Sequence, residues 1–254
     1  MKRILALFLT LLLLFCCACN NSTVQVDGQL QVYFIDVGQA DCALIIHNGK
    51  SMLVDGGNVE DGPDIIKFLK SKNVKQLDVV VATHAHEDHI GGLGAIIDNF
   101  AVGLIKCPVS SYNSTAFNEF SDAAARQSGI NLCKQGDSWT IGEAKINVLW
   151  PVNAENEETN NTSIVFTLKF GNVTFLFTGD AEQTVETKII NSNYDIKADV
   201  LKVGHHGANT SSSYYFVREV MPSYAIISCG KDNVYGHPHE ETVSRYLQAR
   251  SIVL

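Results

Sequence analysis

The sequence predicts an α/β (α+β) fold in which β-sheets are covered by helices. Short apolar, β-branched stretches recur from Leu30 onward, and helical periodicities alternate with them. The two halves of the chain also run through the same order, strands first and then alternating helices and strands. At 254 residues, 46% of them hydrophobic, the chain is long enough to bury one substantial core, which we assign to a domain over residues 30–254.

Residues 30–37, 42–46 and 51–54 are apolar runs separated by turn-prone or polar segments, which predicts an antiparallel start to a sheet. Asp61, Gly62 and Pro63 then open a helix whose Ile65, Ile66 and Leu69 share one face, and residues 77–82 form the next strand. Ile90, Leu93 and Ile97 mark a second helix from about His89. It contains Gly91, Gly92 and Gly94, each costing about 1 kcal/mol relative to alanine, so close packing against them is expected. Residues 145–149, 163–170 and 173–177 read as strands, the last two joined at Gly171-Asn172, and residues 153–161 as a polar, acidic loop. Residues 181–190, 200–203, 211–220, 224–228 and 240–250 continue as helix, strand, helix, strand, helix.

The N-terminus has a different character. Lys2 and Arg3 precede an apolar run over residues 4–15, shorter than the roughly 20 residues a membrane-spanning helix needs, which predicts a secretory signal over residues 1–18. Its end, Cys16-Cys17-Ala18-Cys19, resembles the lipobox of bacterial lipoproteins, with Cys19 ahead of Cys17 as the residue to be lipidated. The expectation is export and lipid anchoring to the cell membrane at Cys19, through a polar tether over residues 19–29.

A net charge of −8 argues against holding polyanions by bulk attraction, so a nucleic-acid substrate would depend on metal ions and local contacts. Cys42, Cys107, Cys133 and Cys229 lack the spacing of zinc or redox motifs and read as small buried hydrophobes.

The strongest chemical signal is Thr83-His84-Ala85-His86-Glu87-Asp88-His89-Ile90-Gly91-Gly92, between an apolar strand and a glycine-bearing helix. In extended chain alternate positions share a side, so His84, His86 and Asp88 are expected to converge while His89 turns toward a second centre. Imidazole and carboxylate donors suit zinc, and also manganese or iron. Asp180 follows a strand and has Gln183 three residues on, so a helix-capping role stands beside a metal-binding one. His205 and His206 end another strand; one is expected to face the metals or the substrate and the other to support it. Asp55-Gly56-Gly57 reads as a brace beneath the site, with Asp36 and Asp41 as turn-forming aspartates.

These segments, with Phe34-Ile35-Asp36-Val37-Gly38-Gln39-Ala40-Asp41, Asn161-Thr162-Ser163, Lys202-Val203-Gly204-His205-His206-Gly207 and Tyr235-Gly236-His237-Pro238-His239, resemble the metallo-β-lactamase superfamily. The resemblance is nearest to the extracytoplasmic hydrolase domain of ComEC-type competence proteins and their stand-alone relatives, the phosphorylcholine esterases among them. It implies a four-layer αβ/βα sandwich and two divalent metal ions, zinc with manganese as the alternative. The ligands implied are His84, His86, Asp88, His89, Asp180 and a last histidine, His237, with His205 as its competitor. Two departures stand out. No histidine occurs between His89 and His205, where many members carry one, and the sequence ends at Ser251-Ile252-Val253-Leu254, where relatives continue into a final strand.

The function expected is phosphodiester hydrolysis by metal-activated water, on extracellular DNA or a surface phosphodiester. Asp88 would orient the water, and His205 or His206 would stabilise charge or protonate the leaving oxygen. Asn161, Ser163 and Lys231 are the candidate substrate contacts, with Lys202, Asn233 and Tyr235 near them. Alternatives are a small-diester hydrolase of the phosphorylcholine esterase kind and a metal-binding surface lipoprotein without turnover. No protein partner is inferred.

Overall fold

A computed structural model describes residues 28–155, 157–192 and 194–254. The signal segment, the lipobox and Cys19 lie outside them. Among the described residues no helix is long and apolar enough to cross a membrane.

Six strands form the first sheet: β1 (Gln31–Phe34), β2 (Ala43–His47), β3 (Lys50–Val54), β4 (Gln76–Val81), β5 (Ala101–Cys107) and β6 (Ile130–Leu132), side by side in that order. The first three pair antiparallel, as the sequence predicts. From β3 to β6 the pairing is parallel, each step crossing through helix: α1 (Gly62–Ser71), then α2 (Glu87–Ile90) with α3 (Leu93–Asn99), then α4 (Thr115–Ala125).

The second sheet holds β7 (Ser138–Ile141), β8 (Ala144–Trp150), β9 (Val165–Phe170), β10 (Val173–Phe177), β11 (Val200–Lys202), β12 (Tyr224–Ile226) and β13 (Ile252–Val253). It repeats the plan, antiparallel from β7 to β10 and parallel from β10 to β13. Helices α5 (Gln183–Ile190), α6 (Tyr214–Val220) and α7 (Glu240–Gln248) make its crossovers. Sequence pattern alone does not single out β5, α4, β6 or β7.

Burial explains why several strands read as unbroken apolar runs. In β2, Ala43 and Ile45 face the space between the sheets, where they meet Met52, Ile146, Phe166 and Phe177. Leu44 and Ile46 face the other way, into the core under α1, α3 and α4 with Ile65, Leu69, Leu93 and Phe120. A third core packs α5, α6 and α7 on the outer face of the second sheet through Val185, Ile189, Phe216, Val217 and Tyr246. Strands buried on both faces lose the polar alternation of a half-exposed strand. The layers are therefore helix, sheet, sheet, helix, the four-layer αβ/βα sandwich expected.

The glycine cluster does what its cost suggested. A Cβ on Gly91 would lie 2.5 Å from the Val59 backbone nitrogen, and one on Gly92 would lie 2.3 Å from the Gly56 carbonyl oxygen. The helix expected from His89 is split there into α2 and α3. That close approach fixes the loop after β3 against the loop after β4, and both carry site residues. Cys42, Cys107 and Cys133 are buried and Cys229 half-buried, all as free thiols.

Candidate metal centre

Parallel strands β3, β4, β10 and β11 end on one edge of the sandwich, and the chemistry-bearing residues sit in the loops just past them: Asp55, His84 to His89, Asp180, and His205 with His206. Carboxyl ends of parallel strands are where such sheets leave room for a ligand. A backbone hydrogen bond from Ile164 N to the Thr83 oxygen at 2.8 Å joins the two halves here, and one from His205 N to the Gly179 oxygen at 3.1 Å ties together two loops of the second half.

His84 is buried, and its Nε2 lies 3.1 Å from His86 Nδ1 and 3.8 Å from Asp180 Oδ2. His89 Nε2 lies 3.3 Å from Asp180 Oδ1. Asp88 takes the other side from the one expected. The extended chain stops at His86, which caps α2, so Asp88 sits on the helix with His89, and alternation no longer groups it with His84 and His86. Its Oδ2 is 3.1 Å from His206 Nε2 and 4.0 Å from His89 Nε2. Asp88, His89, Asp180 and His206 each present one donor atom, all within 4.8 Å of one another.

Each of these groups is held from behind. Asp55 Oδ2 is 2.9 Å from His89 Nδ1, while its two oxygens accept from the Thr83 amide and hydroxyl, both at 2.8 Å. His206 Nδ1 lies 3.0 Å from the Ser228 carbonyl oxygen and 3.5 Å from Asp41 Oδ1. Asp41 in turn is paired at 2.8 Å with Lys202, which is 5% exposed and so spent on this pair, not offered to a substrate. Asp180 does not cap α5: Glu182 occupies that position. The Asp180 amide donates to Ser163 Oγ at 2.9 Å, and the Glu182 amide to Asn161 Oδ1 at 3.1 Å. Asn161 and Ser163 are thus buried supports of the Asp180 loop, and the neighbouring Asn160 lines the cleft instead.

The later histidines sort themselves in a way a regular strand would forbid. Residues 204–207 form a 3₁₀ turn in which His205 (φ 51°) and His206 (φ 53°) are both left-handed. That conformation costs of order 1–3 kcal/mol per residue, and it turns both rings toward Asp180. His205 Nε2 is 3.9 Å and His206 Nε2 3.6 Å from Asp180 Oδ2. His237, the expected last ligand, stands on the cleft wall with Nδ1 3.3 Å from Gln39 Nε2, outside the four-residue set that includes His206. His239 is farther along the same loop, its Nδ1 accepting from the Asn209 amide at 3.1 Å. Lys231 is exposed and does not line the cleft, whereas Tyr235 does. Asn233 ties the loop together by donating to the Gly230 and His237 carbonyls. The sequence signal for His206 was its flanking glycines: Gly204-His205-His206-Gly207 is turn chemistry, not strand chemistry.

The electrostatics favour a cation. Burial works against charge on His206, yet Asp180, Asp41 and Asp88 outweigh it and push the imidazole up to about 10. Burial likewise opposes charge on His89, and Asp180 with Asp55 holds it well above the ordinary histidine range. In His84, burial and the neighbouring His89 push the pKa well down, so that ring is a neutral donor. Carboxylates here are so concentrated that histidines must protonate to balance them, a task divalent ions perform with the same donors. His89 Nε2 and Asp180 Oδ1, both buried, have no hydrogen-bond partner. Unpartnered buried donors of this type fit metal ions, and the His/Asp cluster suits two.

The sequence profile of the Metallo-beta-lactamase superfamily matches residues 35–231. The chain belongs to that superfamily. The chain is 34% identical to ComE operon protein 3 of Bacillus subtilis, over 94% of this chain and 32% of that protein. It is 32% identical to Recombination protein 2 of Haemophilus influenzae, over 88% of this chain and 27% of that protein. The chain spans about a third or less of the length of these relatives. Among solved structures, the metallo-β-lactamase fold protein YhfI of Bacillus subtilis superposes with a TM-score of 0.59 at 16% identity, covering 89% of this chain and 95% of that one. The fold is shared, as the four layers indicate.

Proposed function

We propose that this chain is a metal-dependent phosphodiesterase that works outside the cytoplasm, lipid-anchored at Cys19, with nucleic acid as its substrate. The observation that carries this reading is the convergence of imidazoles from two separate loops, His84 and His89 on one and His206 on the other, on the two oxygens of Asp180, with His89 Nε2 and Asp180 Oδ1 buried and without a hydrogen bond. Asp88, His89, Asp180 and His206 would hold one ion, and His84, His86 and Asp180 another. Bound there, divalent ions supply Lewis-acid activation of water and neutralise charge on phosphoryl oxygens.

The chain's own residues do the rest. Asp180 presents Oδ1 to His89 and Oδ2 to His84 and His206, so one carboxylate ties both halves of the site. Asp55 and Asp41 fix the rings of His89 and His206 from behind, which preserves the geometry between turnovers. The cleft above them, of about 330 Å³, admits a phosphodiester and its flanking groups. His237, which burial and the neighbouring histidines push down to about 4, is neutral at physiological pH and faces the substrate from the cleft wall.

The likeness to Recombination protein 2 of Haemophilus influenzae, a protein named for a process on nucleic acid, supports nucleic acid as the substrate. A second reading, a small surface phosphodiester, draws on the absence of any lysine or arginine among the described residues that line the cleft. The deciding experiment offers the purified protein single- and double-stranded DNA and bis-p-nitrophenyl phosphate with added zinc or manganese. Degradation of DNA supports the first reading. Diesterase activity without it supports the second, and metal uptake with neither would leave a binding protein.

A further inference from the structure

Asp88, His89, Asp180 and His206 offer a full donor set for one four-coordinate ion. The other side of Asp180 is poorer. His84 Nε2 and His86 Nδ1 lie 3.1 Å apart, with Asp180 Oδ2 3.8 Å from His84, which makes three donors, short of the four or five such an ion takes. No histidine occurs between His89 and His205 to supply a fourth from the middle of the chain.

Two side chains stand on the cleft wall with His86 and Asp180. His205 lies with Nε2 3.9 Å from Asp180 Oδ2, and its Nδ1 is engaged by the Thr210 hydroxyl at 3.0 Å. This is the division of labour seen in His89, where one nitrogen is tethered and the other presented. Asn160 approaches His205 Nε2 at 3.5 Å through its amide nitrogen, while its Oδ1 is buried with no hydrogen-bond partner. With that amide turned over, the oxygen that now lacks a partner takes the place where the amide nitrogen meets His205 Nε2, beside the nitrogen the ring presents. The left-handed backbone of His205 brings its ring to this place, and strain of that kind persists where the surroundings over-determine it.

We propose that His205 Nε2 and the side-chain oxygen of Asn160 complete the donor set of the ion held by His84, His86 and Asp180. This rests on the two-ion reading above and assigns to His205 a role in metal binding. Three imidazoles and one carboxylate, against two imidazoles and two carboxylates in the half built on His206, make this half the softer of the two and the less tolerant of manganese.

The test measures ions bound per chain in the full-length protein, stripped with chelator and titrated with cobalt(II) or zinc. Wild type binds two. His205→Ala keeps one ion at wild-type affinity and holds the other at least about tenfold more weakly, with loss of part of the visible cobalt spectrum. Asn160→Ala weakens the same ion to a smaller degree and carries the test if His205→Ala fails to fold. His206→Ala loses the opposite ion, which identifies the half affected. Wild-type affinity for both ions in His205→Ala and Asn160→Ala overturns the assignment and leaves the two-ion site standing. A wild-type protein that takes up no ion removes the site itself, and this inference with it.

Discussion

Asp55 Oδ2 lies 2.9 Å from Nδ1 of His89, and that contact directs the other ring nitrogen, Nε2, at Asp180 Oδ1, 3.3 Å away. Asp55 holds this position with a left-handed backbone (φ 59°) and with both oxygens also engaged by Thr83. It is therefore the brace by which the loop after β3 fixes a group after β4. Asp55→Ala is expected to lower metal affinity about 10–100-fold while leaving the other ligands in place, as measured by competition with a chromophoric chelator. Unchanged affinity would show that the pair is only structural.

Lys202 and Asp41 form an ion pair in which both side chains are almost wholly buried. Lys202→Met leaves Asp41 without its strongest partner, and a loss of about 3–5 kcal/mol is expected in denaturant unfolding. Burial raises the Asp41 carboxyl, but Lys202 and His206 outweigh it and hold it well below the usual carboxylate range. A depressed acid contributes stability above its unfolded pKa and loses it as pH falls through the folded value. Wild type should accordingly lose stability on acidification below about pH 4, the ordinary carboxylate value, and the variant should lose less over that window.

Ser163 is buried and accepts a hydrogen bond from the Asp180 amide at 2.9 Å. Ser163→Ala strands that amide, and a destabilisation of about 1–3 kcal/mol follows. Because the same amide positions the shared carboxylate, kcat should fall more than KM rises on a small diester. A variant with normal kcat would separate loop support from catalysis.

Gly92 meets backbone on two sides, since its missing Cβ would be 2.3 Å from the Gly56 oxygen and 3.1 Å from the Gly62 nitrogen. Gly92→Ala should cost about 3 kcal/mol, the upper end for overpacking, because no flexible side chain can yield. Thermal unfolding reads this directly. The displaced loops carry Asp55 and His89, so metal uptake should fall with it.

Much of this was legible in the sequence, and the failures have identifiable causes. Apolar runs such as that at Ala43–His47 marked strands, though not their burial on both faces, and two halves in the same order pointed to sheets covered by helices. The motif from His84 to His89 marked the site because four donors in six residues after a strand have little other use. Partners across the chain were harder. His206 was obscured because a left-handed turn reorients two adjacent histidines, whereas residue alternation assumes a strand. Lys202 was expected near the substrate because its buried mate, Asp41, is 161 positions away in the chain. Asn161 and Ser163 were expected at the substrate, but one residue of register puts Asn160 on the cleft and the other two beneath it.

In the proposed function Asp180 joins two metal-binding halves into one hydrolytic site. The most direct test of this is hydrolysis of bis-p-nitrophenyl phosphate by chelator-stripped protein as zinc or manganese is added back, for wild type and Asp180→Ala. Activity that climbs to a plateau at two ions per chain in wild type, and is at least about 1000-fold lower in a folded Asp180→Ala protein, is the predicted result. Hydrolysis that persists after stripping, or that survives the loss of Asp180, would contradict it.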